Sequence, residues 1–240
     1  MQDNFTVNST NKKWLIFDNI NHSFFETNFA GVLDANEWCS YDLFYKENYG
    51  CEFSKTNNVY EMFDCIVEPD DIVVDLGANI GLFTNKVANT AKKVIAVEGA
   101  PEIFSCLVKN TCIEHKNIEY LNASVVSDKQ IKEKNIWSYR PSKVNVTLRQ
   151  IFELYNLEKI DFLKVDIESA EYDIFYEGFD PELLSRINKI SMEVHVDPNS
   201  SDGKEINSIL NCLSNKTTNH FNWWMNGHLQ KTFYFKSKYE

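Results

Sequence analysis

From residue 71 onward, short apolar runs and amphipathic stretches take turns, and this alternation constrains the fold more than any other feature of the chain. "DIVVDL" reads as a buried strand, "NIGLFTNKVANT" as a helix and "KKVIAVE" as the next strand. "PEIFSCLVKNTCIEH" follows as a helix with Pro101 near its first turn, where a missing N–H costs nothing. "NIEYLNASVV", "IDFLKVDI" and "INKISMEVHV" continue the strand series. "TLRQIFELYNL" (with Thr147 as N-cap), "SAEYDIFYEGF" and "GKEINSILNCLSN" read as further helices. The C-terminal "HFNWWMNGHLQKTFYFKSK" predicts two strands around Asn226-Gly227, a strong short-range hairpin signal. Such an order predicts an α/β domain: a mostly parallel seven-stranded sheet, helices on both faces and an antiparallel C-terminal hairpin.

The chain before this region is less regular. Residues 1–58 hold scattered aromatics, among them Trp14, Phe24, Phe25, Trp38 and Tyr41, without a clean period. They are expected to be an N-terminal extension, with residues 59–240 as the main domain and the aromatic stretch as a candidate substrate cap. Val59, Met62, Phe63 and Ile66 are spaced as one face of a helix, which "EPDD" breaks. "SDKQIKEKNIWSYRPSKVNV" is polar and irregular.

Charge narrows the function classes. The 240 residues carry a net charge of −11 and only three arginines, Arg140, Arg149 and Arg186. A protein that tracks a phosphate backbone usually shows a basic footprint, so no nucleic-acid partner is expected. No apolar run is long enough to span a bilayer, and "MQDNFTVNSTNKKW" has no signal-peptide character. A cytoplasmic location with reduced cysteines is therefore expected, and none of the six cysteines forms a C-x-x-C pair.

The chemistry is concentrated at predicted strand ends, where ligands bind in open parallel sheets. "VVDLGANIGLFT" sets Asp75 near the end of the first strand and two glycines, Gly77 and Gly81, in the turn after it. Gly77 permits a tight turn, and Gly81 permits close helix packing or close approach of a ligand. The dinucleotide fingerprint G-x-G-x-x-G is absent, because Asn79 stands where its middle glycine would be. Glu98 closes the second strand, where an acid accepts hydrogen bonds from ribose hydroxyls. An adenosine ligand without a pyrophosphate fits this pattern, and S-adenosylmethionine is the leading candidate.

"VVDLGANIGLFT", "VIAVEGAPEIF", "IDFLKVDIESAEYDIF" and "ISMEVH", in this order, resemble the FkbM family of S-adenosylmethionine-dependent methyltransferases, from about Val59 to Val196. The resemblance implies a class I, Rossmann-like methyltransferase fold. It implies that Asp75, Gly77, Ala78, Asn79, Gly81 and Thr84 hold the methionine part of the cofactor. Glu98, with Gly99 beside it, would hold the ribose, and Asn122, Ala123 and Ser124 would border the adenine; Asp166, by its place at a strand end, would either orient the acceptor or face the sulfonium. Gly99 and Ser169 depart from the family's more usual proline and glycine.

The candidate catalytic residues lie further along the sheet. Lys164, Asp166 and Glu168 share one side of an extended chain, and Glu193 and His195 share a face at the end of the next strand. Methyl transfer to oxygen needs a hydroxyl relieved of its proton, and a histidine suits that duty, so His195 is the first choice as base. The same acids with His195 offer ligands to a divalent cation, although no metal is expected. The leading expectation is an O-methyltransferase acting on a sugar or other small hydroxyl acceptor. An RNA cap or ribose 2′-O-methyltransferase and a non-catalytic binding module of the same fold are the alternatives.

Overall fold

The computed structural model describes residues 60–61, 65–113, 115–133, 142–167, 170–171, 180–194, 200–201, 204, 208, 214–225 and 228–237, together with residues 5–10, 13–18 and 23–27. For residues 5–10, 13–18, 23–27, 181, 193–194, 214–225 and 228–237 the description is of the backbone. Three strands open the chain: β1 (Phe5–Thr10), β2 (Lys13–Asp18) and β3 (Ser23–Thr27), paired antiparallel in that order. The irregular sequence of residues 1–58 gave no sign of this meander.

The main domain begins with β4 (Ile72–Leu76), α1 (Leu82–Ala88), β5 (Lys93–Glu98), α2 (Pro101–Thr111) and β6 (Ile118–Asn122). Then come β7 (Ser124–Val125), α3 (Asp128–Glu133), β8 (Asn145–Val146), α4 (Leu148–Leu154), β9 (Ile160–Val165), α5 (Pro181–Leu184) and β10 (Ile187–Val194). The last two strands are β11 (Ser214–Met225) and β12 (His228–Ser237). The large sheet has the order β11-β12-β10-β9-β4-β5-β6. Its five strands from β10 to β6 are parallel, and β12 joins β10 antiparallel.

The two faces of the sheet bury different sets of side chains, as period-two alternation requires. Val74, Leu76, Ile95, Val97, Leu163 and Val165 meet Ile151, Phe152, Leu183 and Leu184 of α4 and α5. Val73, Val94, Ala96 and Phe162 meet Phe83 and Val87 of α1, Leu107 of α2 and Tyr60. Thr147 begins α4 with a capping box, in which its side chain accepts from the Gln150 N–H and Gln150 answers on the Thr147 N–H.

Four local expectations are corrected. The apolar spacing of Val59 to Ile66 does not make a helix through its end. Cys65 forms a strand bridge, and residues 66–68 continue without helix toward the start of β4. "NIEYLNASVV" breaks at Ala123 into β6 and β7, and β7 pairs with β8 instead of continuing the large sheet. The polar stretch after it contains α3, whose Gln130 carboxamide accepts from the Ser127 N–H. The expected helices at 169–179 and 203–215 lie mostly outside the described residues, but Ser214 and Asn215, at the end of the second, are strand and begin β11.

Candidate functional site at the carboxyl ends of β4, β5 and β9

The register sets Ala96, Asp75, Lys164 and Ser191 in one row across β5, β4, β9 and β10. Asp75 thus points to the face covered by α1, and its side chain is fully buried. Its Oδ2 accepts from the Thr84 hydroxyl at 2.6 Å, and its Oδ1 lies 3.2 Å from Lys164 Nζ. A charge buried this deeply persists only when paired and hydrogen-bonded. The Asp75 carboxylate is an anchor that ties the start of α1 to the sheet and fixes the loop between them.

Lys164 has the same character. Its side chain has no exposed surface, and Nζ donates to the Gly77 carbonyl at 2.8 Å. Nζ also lies 3.8 Å from Asp166 Oδ2, 4.8 Å from the Tyr60 ring centre and 6.0 Å from that of Phe83. Two acids, a carbonyl and two aromatic faces surround Nζ. In this geometry Lys164 holds the loop and the acids together from below.

The loop itself runs from Gly77 to Gly81. Its first two N–H groups, those of Gly77 and Ala78, both donate to the Val97 carbonyl at 2.9 Å. Gly77 has φ 79°, and a Cβ there would sit 1.7 Å from the Asp166 carbonyl oxygen. Its glycine is therefore needed for the approach of the loop to the end of β9. Gly81, with φ 96°, would place a Cβ 2.9 Å from Leu107 and Thr111 side-chain carbons, so it serves close packing of α1 on α2. Asn79 also takes a left-handed φ of 50°. Its N–H donates to Glu98 Oε2 at 3.0 Å, while the Ala100 N–H donates to Oε1 at 2.8 Å. These two bonds orient the Glu98 carboxylate between the β4 loop and the start of α2. Each oxygen of the carboxylate thus accepts a backbone N–H, which fixes its orientation at the strand end.

At the next strand end, the Asn122 carboxamide donates to the carbonyls of Glu98 at 2.7 Å and Gly99 at 3.1 Å. Asn122 thereby pins the acid's own backbone. Ala123 is buried, and Ser124 Oγ accepts from the Ser142 N–H at 2.8 Å. Asp166 follows β9, with its N–H donating to the Leu76 carbonyl at 3.0 Å. Its Oδ2 accepts from the Tyr60 hydroxyl at 2.7 Å. Glu171 is fully buried and takes the Ile167 N–H at 3.0 Å, which shapes the chain just past Asp166.

The structure brings Asp75, Gly77, Thr84, Lys164 and Asp166 into one cluster, with Asn79, Glu98, Gly99 and Asn122 beside it. Glu193 is placed by its backbone, opposite Thr232 in β12. His195 and Glu168 lie outside the described residues. Two contributors were missed in the sequence. Tyr60 sat in a stretch read as helix, and Asn110, which donates to the Ile80 carbonyl at 2.8 Å, sat on a helix read only for its apolar face. No local signal marks either one, because both act across 30 or more positions.

An acid held by loop and helix N–H groups at the end of the second parallel strand, after a glycine turn at the first, defines a class I, Rossmann-like methyltransferase domain. The comparisons agree with this geometry. The methyltransferase FkbM domain model matches residues 75–219, and the chain belongs to that family. Its cofactor is S-adenosylmethionine, and the polar groups around Glu98 and the β4 loop fit that molecule's ribose and amino-acid ends. Among curated proteins, the ribosomal RNA small subunit methyltransferase A of Alkaliphilus metalliredigens is 30% identical over 88 residues, covering 36% of this chain and 30% of that protein. The uncharacterized RNA methyltransferase NEQ053 of Nanoarchaeum equitans is 26% identical over 147 residues, 60% of this chain and 32% of that protein. The chain thus spans about a third of the length of these relatives. Sp1610 of Streptococcus pneumoniae shares the fold with a TM-score of 0.50 at 12% identity, over 77% of this chain and 70% of that one. Sp1610 has also been solved in complex with S-adenosyl-L-methionine. Among the described residues, no helix is long and apolar enough to cross a membrane.

Proposed function

We propose that the protein is an S-adenosylmethionine-dependent O-methyltransferase acting on a hydroxyl of a sugar or another small acceptor. The observation that carries the choice of acceptor is charge. Asp and Glu number 35 against 24 Lys and Arg, and only three of the cations are arginine. A polyanionic acceptor meets repulsion at such a surface, whereas a neutral hydroxyl acceptor does not.

When bound, S-adenosylmethionine supplies an electrophilic methyl on a sulfonium. The chain's part is to bind, orient and deprotonate. Glu98 receives the ribose hydroxyls, and the loop from Gly77 to Gly81 receives the amino-acid end. Asp166 stands toward the cationic centre, and Lys164, fully buried, keeps Asp75 and Asp166 in place. His195 is assigned the removal of the acceptor's hydroxyl proton, with Glu168 and Glu193 as acids near the same strand ends.

A second reading, methylation of RNA, is favoured by the RNA methyltransferases among the curated relatives. One experiment separates the two: incubation with methyl-labelled S-adenosylmethionine and, in parallel, pools of glycans, small hydroxylated metabolites and total RNA. Label in the glycan or metabolite fraction is expected. Label in RNA, with binding that weakens steeply as salt rises, would replace the first reading with the second. Once an acceptor is found, His195→Ala should lower turnover by about 10²–10⁴-fold while cofactor affinity stays near that of the wild type. Normal turnover in that variant across pH 6 to 9 would move the base to Asp166 or Glu168.

A further inference from the structure

The far end of the glycine loop is met by the last turn of α2. Asn110 is buried there, and its Nδ2 donates to the Ile80 carbonyl at 2.8 Å. Only the amide nitrogen can donate to a carbonyl, so this bond fixes which way the carboxamide points. The N–H of the same peptide, that of Gly81, donates to the Ala78 carbonyl at 2.9 Å. The Ile80–Gly81 peptide is planar, and it is thus gripped at its oxygen by α2 and at its nitrogen by the loop itself. The grip is firm on the helix side. Thr111 Oγ1 donates to the Leu107 carbonyl at 2.8 Å and lies 2.8 Å from the Tyr120 hydroxyl, which fastens the last turn of α2 to β6. At the start of α2, the Ala100 and Asn79 N–H groups share the Glu98 carboxylate. Residues 79–81 are therefore tied to both ends of α2, through Glu98 at its start and through Asn110 at its finish.

We propose that Asn110 is a positioning residue that locks the Ile80–Gly81 peptide and so shapes the loop for the amino-acid end of S-adenosylmethionine, while Glu98 serves the nucleoside end. The inference rests on the reading that this loop takes the amino-acid end of that cofactor. Asn79 and Gly81 flank the peptide with φ of 50° and 96°, so the turn sits in a region of backbone space that needs support to persist. Removing the Asn110 donor takes a hydrogen bond from a carbonyl within a buried residue and loosens that turn. The Glu98 carboxylate keeps the Ala100 N–H in that case, so the ribose end is disturbed less.

The test compares S-adenosylhomocysteine with 5′-methylthioadenosine, an adenosine thioether that lacks the amino-acid end. Calorimetry, with displacement for the weaker ligand, gives both dissociation constants for the wild type, Asn110→Ser and Asn110→Leu. Each variant should weaken S-adenosylhomocysteine by about five- to tenfold, the scale of one hydrogen bond to a buried carbonyl, and change methylthioadenosine by less than about twofold. Asn117→Ala serves as a control, because its Nδ2 holds the Ala88 and Ala91 carbonyls away from the loop, and it should change neither ligand. Equal weakening of both ligands, no weakening of either, or the same selective loss in Asn117→Ala would overturn the proposal. Loss of the fold in both Asn110 variants would make Asn110 a core residue of α2 and overturn it as well. If methylthioadenosine binds the wild type too weakly to measure, amide exchange in the ligand-free chain decides. The Gly81 N–H should then exchange at least about fivefold faster in the variants, with no change at the Val94 N–H, and an unchanged Gly81 rate overturns the proposal. A wild type that binds the two ligands equally would overturn the placement of the amino-acid end in the loop. One that binds neither would overturn the cofactor assignment, and this inference falls with either.

Discussion

Gly77 is the residue at which backbone and site meet most tightly. A side chain there would collide with a backbone carbonyl, which cannot swing aside, and would also adopt φ 79°. Gly77→Ala should therefore destabilise the fold by at least about 3 kcal/mol. Gly81→Ala also carries a positive φ of 96°, but its closest contacts are the tips of the Leu107 and Thr111 side chains, which can give way, and it should cost less. Denaturant midpoints of the two variants measure the difference, and equal losses would place the critical approach elsewhere. Glu98 is a different case, since it joins the β4 loop to the start of α2 through two N–H groups. Glu98→Ala should weaken S-adenosylmethionine by more than about tenfold, given that hydrogen bonds to a charged group contribute roughly 1.5–3 kcal/mol each. Calorimetry decides it, and an unchanged dissociation constant would reduce Glu98 to a structural tie.

Among the elements, the end of the sheet opposite the site has its own clip. Lys189 of β10 is buried, and its Nζ donates to Asp71 Oδ2 at 2.8 Å, Glu68 Oε2 at 3.0 Å and the Ile66 carbonyl at 2.9 Å. The clip ties the entry of β4 to a strand two places away in the sheet order. Burial pushes the Lys189 ammonium down, but hydrogen bonds to Asp71 and Glu68 outweigh it, and its pKa is raised above the usual value. A raised lysine stabilises the fold fully below the unfolded pKa of about 10.4, and the gain is lost as pH rises through the folded value. Lys189→Met should cost about 3 kcal/mol at pH 8, the lower end for a broken buried pair because Glu68 is solvent-exposed. The gap between the variant and the wild type should narrow above pH 10.4 in chemical denaturation, and a constant gap would show that the charge is not what stabilises. The elements themselves were largely legible. "DIVVDL", "KKVIAVE" and "IDFLKVDI" are mostly apolar along their buried lengths, broken by the buried charges Asp75, Glu98, Asp161 and Lys164, and Thr147 and Pro101 mark helix starts by backbone chemistry alone. Strand β7 was not legible as a separate piece, because only its pairing with β8 cuts it from β6.

At the scale of the whole molecule, the cofactor half of the site could be read from sequence because its parts are local: a glycine turn, a strand-ending acid and a lysine two residues before another acid. The long-range half could not. Tyr60 meets Asp166 across 106 positions, and Lys189 meets Asp71 across 118, and no periodicity encodes such a meeting. The same long reach makes ligand binding a property of the entire parallel sheet, since the loop, Glu98 and Asp166 sit on three neighbouring strands whose register must be intact. A ligand that binds only the folded chain stabilises it by mass action, about 2.7 kcal/mol at a hundredfold excess over its dissociation constant. For a chain of this length each kcal/mol raises Tm by about 2–4 °C, so S-adenosylhomocysteine at that excess should raise Tm by about 5–10 °C. NAD at the same concentration should leave Tm unchanged, because the chain has Asn79 where the pyrophosphate-binding glycine pattern needs its middle residue. Glu98→Ala should shrink the shift caused by S-adenosylhomocysteine at fixed concentration, as its affinity falls. Thermal scans with the two ligands and the variant make one experiment of this, and a shift with NAD as large as with S-adenosylhomocysteine would overturn the cofactor assignment.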